Sequence, residues 1–541
     1  MLGQMMQRPL LISDILTYGA EMHPNGEIVS VRTEGDIHRQ TYAETALRVA
    51  KLGNALRARG VKIGDRVATL AWNGYRHFEL YYAISGIGAI CHTINPRLSA
   101  EQMIYIVNHA EDKIIFVDTT FVPILNALKD HLPADLTYVV MTDRAHMPDN
   151  ALNALCYEEL LDEQPDTIDW PEFDENTAAG LCYTSGTTGH PKGALYSNRS
   201  TVLHALYVAM ALGVSLPQEA RILPVVPLFH VNAWGIPYAS AMCGAKLVLP
   251  GLKLDGQSLY DLARAEGCTL SLGVPTVWIG LFKYLDEAGI DPATLPFERV
   301  LIGGSAAPRA LLRRFHEAGV HAFQAWGMSE TSPVATVATL LPHQQALGLD
   351  GKLDVLTRQG RAMFGVELKI VGEDGQELPQ DGSASGELKV RGPWVTSGYY
   401  GGVGGQVLDA DGWFATGDVA RIDTEGFVTL TDRAKDVIKS GGEWISSIDL
   451  ENAALGHPAV EAAAVIGVYH EKWQERPLML VVRKRDTAPE PAEIRAVLED
   501  KVAHWWLPDA IVFVDSLPLT ATGKLDKKAM RAVWKDYLAT A

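Results

Sequence analysis

Short apolar runs alternate with amphipathic helical patterns along most of this 541-residue chain, and this alternation constrains the fold most strongly. Residues 41–60 are an example of the helical pattern. Thr41 and Glu44 fit a capping box, apolar residues recur at helical spacing, and Gly60 ends the pattern. The apolar run 67–71 follows directly. Because strands that alternate with helices pair in parallel and are covered on both faces, we predict an α/β fold with mostly parallel, buried sheets.

Five further apolar runs fit the same scheme, and each is close to a helical pattern. Pro224 falls inside one of them, and because proline removes a backbone donor, it weakens this run as a central strand. The five runs are 114–117, 138–141, 222–226, 247–249 and 300–302.

The chain is longer than one hydrophobic core usually serves, so we expect at least two domains. Residues 433–541 begin with a charged turn and show one or two helices and a few strands, at 462–468, 478–482 and 511–514. Their 15 Lys and Arg nearly balance 16 Asp and Glu, so the first 432 residues carry almost all of the net charge of −18. We predict a large N-terminal domain over residues 1–432 and a small mobile α+β domain over residues 433–541.

Composition excludes several classes of protein. The five cysteines are scattered and never form a CxxC pair, which argues against a disulfide framework or a zinc site and favours a reducing compartment. The N-terminus shows no signal-peptide pattern, and no apolar run is long enough to span a bilayer, so we expect a cytoplasmic protein without a transmembrane segment. The negative charge argues against nucleic acid as a partner.

The strongest local signal is a segment rich in glycine and hydroxyl residues, YTSGTTGHPKG at residues 183–193, which follows the predicted strand 179–183. Such a segment lets the backbone curl so that amides and hydroxyls point at an anion, and Lys192 adds a positive charge. It is not a Walker A loop, because Pro191 and Gly193 stand where that pattern needs Gly and Ser or Thr. We predict a phosphate-binding loop, with a flexible linker as the alternative.

This loop resembles the signature of the acyl-adenylate-forming superfamily, which includes acyl-CoA synthetases, luciferases and peptide-synthetase adenylation domains. Other segments resemble the family's motifs in order across nearly the whole chain. They are PLFHVNAWG at 227–235, GGSAAP at 303–308, QAWGMSET at 324–331, DGWFATGD at 411–418, DRAKDVIK at 432–439, SGGEWI at 440–445 and PLTATGKLD at 518–526. The resemblance implies that a carboxylic acid reacts with ATP and Mg²⁺ and that the acyl group passes to coenzyme A.

The resemblance also implies catalytic roles for four residues. Lys524 would lie between the substrate carboxylate and the α-phosphate, where its charge offsets the negative charge of the transition state. Thr184 and Glu330 would hold Mg²⁺, which prefers hard oxygen ligands. His230 would orient the substrate carboxylate; a core histidine is the alternative. For Glu330 the alternative is a helix cap.

Most of the remaining positions are implied to contact ATP or CoA. Trp326 and Ser329 replace the family's usual tyrosine and threonine, but they keep a π face for adenine and a hydroxyl for the α-phosphate. Asp418 and Arg433 would contact the ribose, for which a carboxylate accepting two donors is suited. The predicted nucleotide- and CoA-binding residues are Thr184, Ser185, Gly186, Thr187, Thr188, Gly189, Lys192, Gly303, Ser305, Ala306, Ala307, Gln324, Ala325, Trp326, Gly327, Met328, Ser329, Asp418, Arg433, Lys435, Lys439, Gly441 and Trp444.

Two further regions follow from the resemblance. The acyl pocket would be lined by His230, Val231, Trp234, Gly303 and Gly304, with Trp234 acting either as a movable gate or as simple lining. Lys435 corresponds to the family's hinge, although an exposed charged turn is the alternative. Glycines at 441 and 442 would line the CoA channel after rotation, and Trp444 would cover either the nucleotide or that channel.

These implications define an AMP-forming acyl-CoA ligase that makes acyl-AMP and pyrophosphate and then acyl-CoA and AMP. The segments are most similar to medium- and long-chain fatty-acyl-CoA synthetases and to 3-methylmercaptopropionyl-CoA ligases. Either acid class fits, with the fatty acid favoured. Three alternatives remain: an enzyme that loads a separate carrier protein, a luciferase-like oxygenase, and a non-catalytic nucleotide-binding protein. Relatives often form homodimers, which leaves a homodimer open here.

Overall fold

The computed structural model describes residues 1, 3–184, 190–211, 219–433, 435–440, 443–499, 501–520 and 524–540, without the side chains of residues 211, 443, 444, 539 and 540. Its strands are β1 Glu27–Val31, β2 Ile37–Thr41, β3 Arg66–Leu70, β4 Ile90–Thr93, β5 Ile114–Val117, β6 Thr137–Val140, β7 Leu155–Cys156, β8 Ala178–Tyr183, β9 Gly193–Ser197, β10 Arg221–Pro224, β11 Lys246–Leu249, β12 Leu270–Gly273, β13 Arg299–Ile302, β14 His321–Gly327, β15 Val334–Val337, β16 Arg361–Ala362, β17 Glu367–Val371, β18 Gly386–Arg391, β19 Phe414–Ile422, β20 Val428–Arg433, β21 Ile438–Ser440, β22 Glu443–Ile445, β23 Val460–His470, β24 Gln474–Arg483 and β25 Ala510–Phe513. Its helices are α1 Ile12–Met22, α2 Tyr42–Ala58, α3 Tyr75–Gly86, α4 Ala100–Ala110, α5 Val122–Leu128, α6 Tyr157–Asp162, α7 Asn198–Ala211, α8 Ile236–Cys243, α9 Gly256–Glu266, α10 Pro275–Ala288, α11 Arg309–Glu317, α12 Leu349–Leu356, α13 Ser447–Ala454, α14 Pro491–Glu499, α15 Lys527–Trp534 and α16 Tyr537–Thr540.

Two large sheets form the body of the protein. The seven-stranded sheet has the order β7-β6-β5-β3-β4-β8-β9 and is parallel except for the pair β8–β9. The nine-stranded sheet has the order β16-β15-β14-β13-β12-β10-β11-β1-β2, is parallel from β14 to β1, and is antiparallel at both ends. This architecture confirms the predicted α/β class with mostly parallel sheets.

Pro224 argued against a central strand for the run that contains it, and the structure contradicts that argument. Strand β10 is central, between β11 and β12, and Pro224 is its last residue, paired with Leu272. At this end the missing donor costs little, because the amides of Val225 and Val226 both donate to the Leu272 carbonyl at 2.9 and 3.1 Å. The ladder therefore continues past the proline.

Local signals set the ends of helix α2. The Thr41 hydroxyl accepts from the Glu44 amide at 3.2 Å, and the Glu44 carboxylate accepts from the Thr41 amide at 2.7 Å, which completes the predicted capping box. Val49, Leu52 and Leu56 are fully buried on one face of the helix. This face packs helix α2 into the large core.

The part of the chain after residue 437 has its own sheet and its own cores. Strands β17 to β20 form an antiparallel four-stranded sheet, whereas β21 to β25 form a separate five-stranded sheet. Buried clusters around Ile438 and Leu498, and around Ile466 and Leu480, belong only to residues after 437. The described residues of this part contain four helices, α13 to α16, so the predicted one or two was an underestimate. Three of them span only four to eight residues, which leaves little periodic signal.

None of the helices in the described ranges is both long enough and apolar enough to cross a bilayer.

Candidate active site

The two ends of the predicted phosphate loop are paired with each other and form its base. Strands β8 and β9 pair Tyr183 with Gly193, and the Thr184 amide donates to the Lys192 carbonyl at 2.9 Å. The Lys192 ammonium lies 5.0 Å from the centroid of the Tyr399 ring, within the range of a cation–π contact. Ser185, Gly186, Thr187, Thr188 and Gly189 lie outside the described residues. The base therefore fixes Thr184 and Lys192 on one side of the site.

Glu330 is 6% exposed and faces the same tyrosine. The Tyr399 hydroxyl donates to Glu330 Oε1 at 2.7 Å, and the Thr396 amide donates to the Glu330 carbonyl at 2.8 Å. Burial and the Glu330 charge raise the pKa of Tyr399, so the phenol keeps its proton and acts as a donor at neutral pH. Strand β9 also bridges to Tyr399 through Ala194. Tyr399 thus joins the lysine of the phosphate loop to the predicted metal-holding carboxylate.

Asp418 is held by two other predicted site residues. The Trp326 indole donates to Asp418 Oδ2 at 2.9 Å, and Arg433 Nε lies 3.5 Å from Asp418 Oδ1. Strands β19 and β20 place Asp418 and Arg433 opposite each other in register. Trp326 and Asp418 are 6% and 7% exposed, so both are anchored at the wall of the site. Trp326, which is predicted to stack on adenine, therefore also fixes the carboxylate predicted to bind ribose.

Lys524 reaches this site from the C-terminal part of the chain. Burial lowers the pKa of Lys524 to about 8. The charges of Arg433 and Lys435 act in the same direction, whereas those of Asp418 and Glu330 oppose it. These interactions show that two carboxylates and two other cations lie within electrostatic range of the ammonium. The lysine near the C-terminus and the carboxylates from strand β19 and the loop after β14 therefore share one site.

His230 lies within electrostatic range of the same lysine. Burial, followed by the charges of Lys524 and Arg97, lowers the pKa of His230 to about 4. The imidazole is therefore neutral near pH 7 and can donate from one nitrogen and accept at the other. A neutral imidazole can orient a substrate carboxylate by hydrogen bonding, while Lys524 supplies the positive charge.

An unusual turn follows His230. Val231, Asn232, Ala233 and Trp234 all have φ between +45° and +58°, a left-handed conformation that costs energy for residues other than glycine. The turn places the Trp234 indole against Gly303, where an added Cβ would lie 2.8 Å from Trp234 Cη2. Trp234 and Val231 are 7% and 2% exposed. Gly303 therefore makes room for the indole that forms one wall of the predicted acyl pocket.

The segment 303–308 is tied to strand β14 by Gln324. The Gln324 side chain accepts from the Ala307 amide at 2.8 Å and donates to the carbonyls of Thr357 and, at 3.3 Å, Leu356. Its amide is thus engaged within the protein, and it holds the loop at Ala307. In the same two segments, Gly303, Ala307, Ala325 and Ser329 are buried, Ala306, Gly327 and Met328 are half-buried, and Gly304 and Ser305 are exposed.

The remaining predicted residues are the predicted hinge, Lys435, and residues after it. Lys435 is exposed, and Lys439 is exposed with its ammonium 3.8 Å from Glu373. Trp444 belongs to strand β22, and its side chain is not among those that the structure describes. Gly441 lies outside the described residues.

The residues present fit a magnesium ion bound with substrate. Across the described part of the chain, no three or more His, Cys, Asp or Glu side chains are grouped as a metal cage. Mg²⁺ usually takes one or two carboxylates and completes its shell with water and substrate phosphates, where it neutralises developing charge. Tyr399 occupies Glu330 Oε1, and the second carboxylate oxygen, Oε2, suits such a cation.

Sequence reasoning missed two contributors to this site. Tyr399 lies 69 residues from Glu330, and only the pair of tyrosines at 399–400 after a glycine marks it in the sequence. Arg97 contributes positive charge at His230, and nothing in its local sequence distinguishes it from a solvated arginine.

We expect Tyr399→Phe to slow acyl-adenylate formation ten- to hundredfold, because losing a hydrogen bond to a charged group costs roughly 1.5–3 kcal/mol. The measurement is pyrophosphate release in a single turnover without CoA. Tyr400→Phe is the matched control, because its hydroxyl contacts only the Ala110 carbonyl, at 3.5 Å, among the hydrogen bonds of the described residues. Equal rates for the two variants would show that Tyr399 does not hold Glu330.

The α/β fold, the buried Glu330 and Asp418, and a lysine within their electrostatic range indicate a nucleotide-binding enzyme. Residues 16–400 match the model of the AMP-binding enzyme family, and residues 449–524 match the AMP-binding enzyme C-terminal domain. The chain belongs to the AMP-binding enzyme family. The resemblance drawn from the motifs is thereby confirmed, and so is the prediction of an acid–thiol ligase.

Named relatives cover nearly the full length of the chain. It is 49% identical to the medium-chain-fatty-acid–CoA ligase of Ectopseudomonas oleovorans, covering 99% of this chain and 98% of that protein. It is 48% identical to the 3-methylmercaptopropionyl-CoA ligase of Ruegeria lacuscaerulensis, with 99% and 100% covered, and 46% identical to the long-chain-fatty-acid–CoA ligase of Thermus thermophilus, with 99% and 98% covered. The crystal structure of an anthranilate CoA ligase in complex with anthranoyl-AMP has the same fold, with a TM-score of 0.86, 24% identity and coverage of 98% and 99%.

Proposed function

We propose that this protein is an ATP-dependent acyl-CoA ligase that acts on a medium- or long-chain fatty acid, with 3-methylmercaptopropionate as the second candidate acid. The carboxylate attacks the α-phosphate of ATP, which gives acyl-AMP and pyrophosphate, and the CoA thiol then displaces AMP. The observation that carries the proposal is the pair of contacts Glu330–Tyr399 and Asp418–Trp326, beside a lysine, Lys524, whose pKa the two carboxylates affect. A cation among groups suited to metal, ribose and carboxylate is what the first step requires.

The acyl pocket supports an unbranched apolar acid. Trp234, Val231 and Gly303 are buried and carry no charge, and the indole fills the space that a side chain at 303 would take. An apolar lining of this kind would admit a methylene chain or a thioether and would disfavour a second charged group, which would lose its hydration there. Both acid classes among the named relatives meet this condition.

The same proposal includes the domain arrangement and assembly. Residues 1–432 form the ATP- and acyl-binding domain, and residues 433–541 form the mobile domain that pivots at Lys435 between the two steps. The pivot would withdraw Lys524 and bring residues 440–445 to the site for CoA. Thr184 and Glu330 would hold Mg²⁺ together with ATP. A homodimer is proposed as the assembly, by analogy with the family.

A panel of acids tests the function. We expect CoA-dependent AMP release with straight-chain acids and with 3-methylmercaptopropionate, and at least tenfold lower kcat/KM with a dicarboxylate of equal length, because burying its second charge costs several kcal/mol. The panel runs from propionate to palmitate, with succinate and glutarate as length-matched controls for butyrate and valerate.

Two results would contradict the proposal. Hydroxamate trapping of acyl-AMP without any CoA-dependent AMP release would favour an enzyme that loads a separate carrier protein. ATP binding without pyrophosphate release for any acid would favour a non-catalytic nucleotide-binding protein.

A further inference from the structure

A buried polar cluster includes Lys527, which is three residues beyond Lys524 in the chain. We call it the Asp432 cluster; it consists of Asp432, Ser447, Glu451 and Lys527. The Ser447 amide and hydroxyl donate to Asp432 Oδ2 at 2.8 and 2.5 Å. The Lys527 ammonium donates to the Ser447 hydroxyl and lies 2.7 Å from Glu451 Oε1. Asp432, Ser447 and Lys527 are 2%, 0% and 9% exposed, so the cluster is almost free of solvent.

The cluster joins two separate sheets. Asp432 belongs to β20, where it pairs with Val419 of β19 in the four-stranded sheet. Ser447 and Glu451 lie on α13 and Lys527 lies on α15, which pack on the five-stranded sheet. A second bond crosses beside it, from the Ser446 hydroxyl to the Thr431 carbonyl. Asp432 therefore supplies a carboxylate of the large domain to a site otherwise built by the small domain.

The position of Asp432 suits this contact energetically. Its carboxylate accepts from the first amide of α13, where the helix dipole favours a negative charge. Burial raises the pKa of Asp432 and the Lys527 charge opposes that effect, so the charged carboxylate depends on the partners that this arrangement supplies. Because the Ser447 amide and hydroxyl reach Asp432 Oδ2 when α13 faces β20, the contact fixes the relative orientation of the two sheets.

The same carboxylate is adjacent to the nucleotide side of the site. Asp432 Oδ1 accepts from the Arg433 amide at 2.8 Å, and Arg433 faces Asp418 across the sheet. On its other side the cluster ends at Lys527, in the helix that starts after the Lys524 segment. A continuous set of contacts therefore runs from the proposed ribose-binding pair to the segment that carries Lys524.

We propose that Asp432 is a positioning residue that latches the small domain in the orientation that delivers Lys524. The latch holds during acyl-adenylate formation and must open before CoA reacts. This inference rests on the proposed two-step function, because it assigns Asp432 to one of the two steps. The Asp432–Ser447 contact stabilises the first arrangement and is absent from the second.

The test measures the two half-reactions separately in Asp432→Asn, which keeps the side-chain size and removes the charge. We expect pyrophosphate release in a single turnover without CoA to slow about tenfold, a typical size for coupling between sites. Conversion of supplied acyl-AMP by CoA should stay unchanged or become faster, because the latch no longer opposes rotation. Ser447→Ala should shift the ratio of the two rates in the same direction.

Asp509→Asn is the matched control. Asp509 pairs with Arg476 at 2.7 Å inside the small domain, so its loss perturbs that domain without touching the cluster. Its ratio of half-reaction rates should match that of the wild type. Equal slowing of both half-reactions in Asp432→Asn, or no change in either, would overturn the latch. Absence of both half-reactions in the wild type would instead overturn the proposed function.

Discussion

Replacing Lys524 with alanine should slow acyl-adenylate formation about 10²–10³-fold, the usual effect of removing one preorganised group that stabilises transition-state charge. Lys524 comes from the C-terminal part and lies within electrostatic range of Glu330, Asp418 and His230. The expected loss is therefore confined to the first half-reaction. Conversion of supplied acyl-AMP to acyl-CoA should keep its rate, because that step would proceed with Lys524 withdrawn.

The measurement is single-turnover pyrophosphate release, paired with CoA-dependent consumption of supplied acyl-AMP. Lys528→Ala is the control, since this exposed lysine lies four residues further on. If both half-reactions fell together in Lys524→Ala, the lysine would act on folding or on domain packing and not on the adenylation step.

The same lysine gives a pH dependence with a definite sign. Its pKa is lowered from 10.5 to about 8, so the ammonium is charged below pH 8 and loses its proton as the pH rises through that value. Because kcat/KM reports the free enzyme, kcat/KM for ATP should fall above about pH 8. In Lys524→Arg the guanidinium keeps its charge, so this fall should disappear even if the rate is lower.

Local patterns allowed much of the fold to be predicted. The capping box at Thr41 and Glu44 involves residues three apart, and the apolar runs each report burial within one strand. The order of motifs also gave the family. These signals depend on residues that are close together in the chain, so they can be recognised from the sequence alone.

The contacts that organise the site were not visible in the sequence. Trp326 and Asp418 are 92 residues apart, and Ser447 and Lys527 are 80 apart, so neither pair has a spacing that indicates contact. The left-handed turn at 231–234 contains no glycine that would indicate such a conformation. Such features depend on tertiary packing, which overrides local preference.

The substitution of tryptophan for tyrosine in the adenine motif shows how sequence and structure combine. From the sequence, Trp326 keeps an aromatic face. In the structure it also donates to Asp418, so the departure from the family pattern adds a link between the predicted base-stacking ring and the ribose-binding carboxylate. A residue type can therefore satisfy a motif and at the same time make a contact that the motif does not encode.

Glu330→Gln is expected to reduce acyl-adenylate formation about 10²–10³-fold, because the amide keeps the shape of the side chain but removes the charge that would hold a divalent cation. Tyr399 can still donate to the amide oxygen, so the position of the side chain should be retained. The independent readout is calorimetry: the gain in ATP affinity on adding Mg²⁺ should shrink in the variant, while affinity for ATP without metal should stay the same or rise.

Glu266→Gln is the control for this substitution. Glu266 is also 6% exposed, but it pairs with Arg39 and Lys246 at the far end of the nine-stranded sheet, so its loss tests the cost of neutralising a buried glutamate. Its thermal midpoint should fall while its activity per folded molecule stays near that of the wild type. If Glu330→Gln instead bound MgATP as the wild type does and lost only stability, the carboxylate would be structural. The phosphate loop and Lys524 would then have to stabilise the transition state without it.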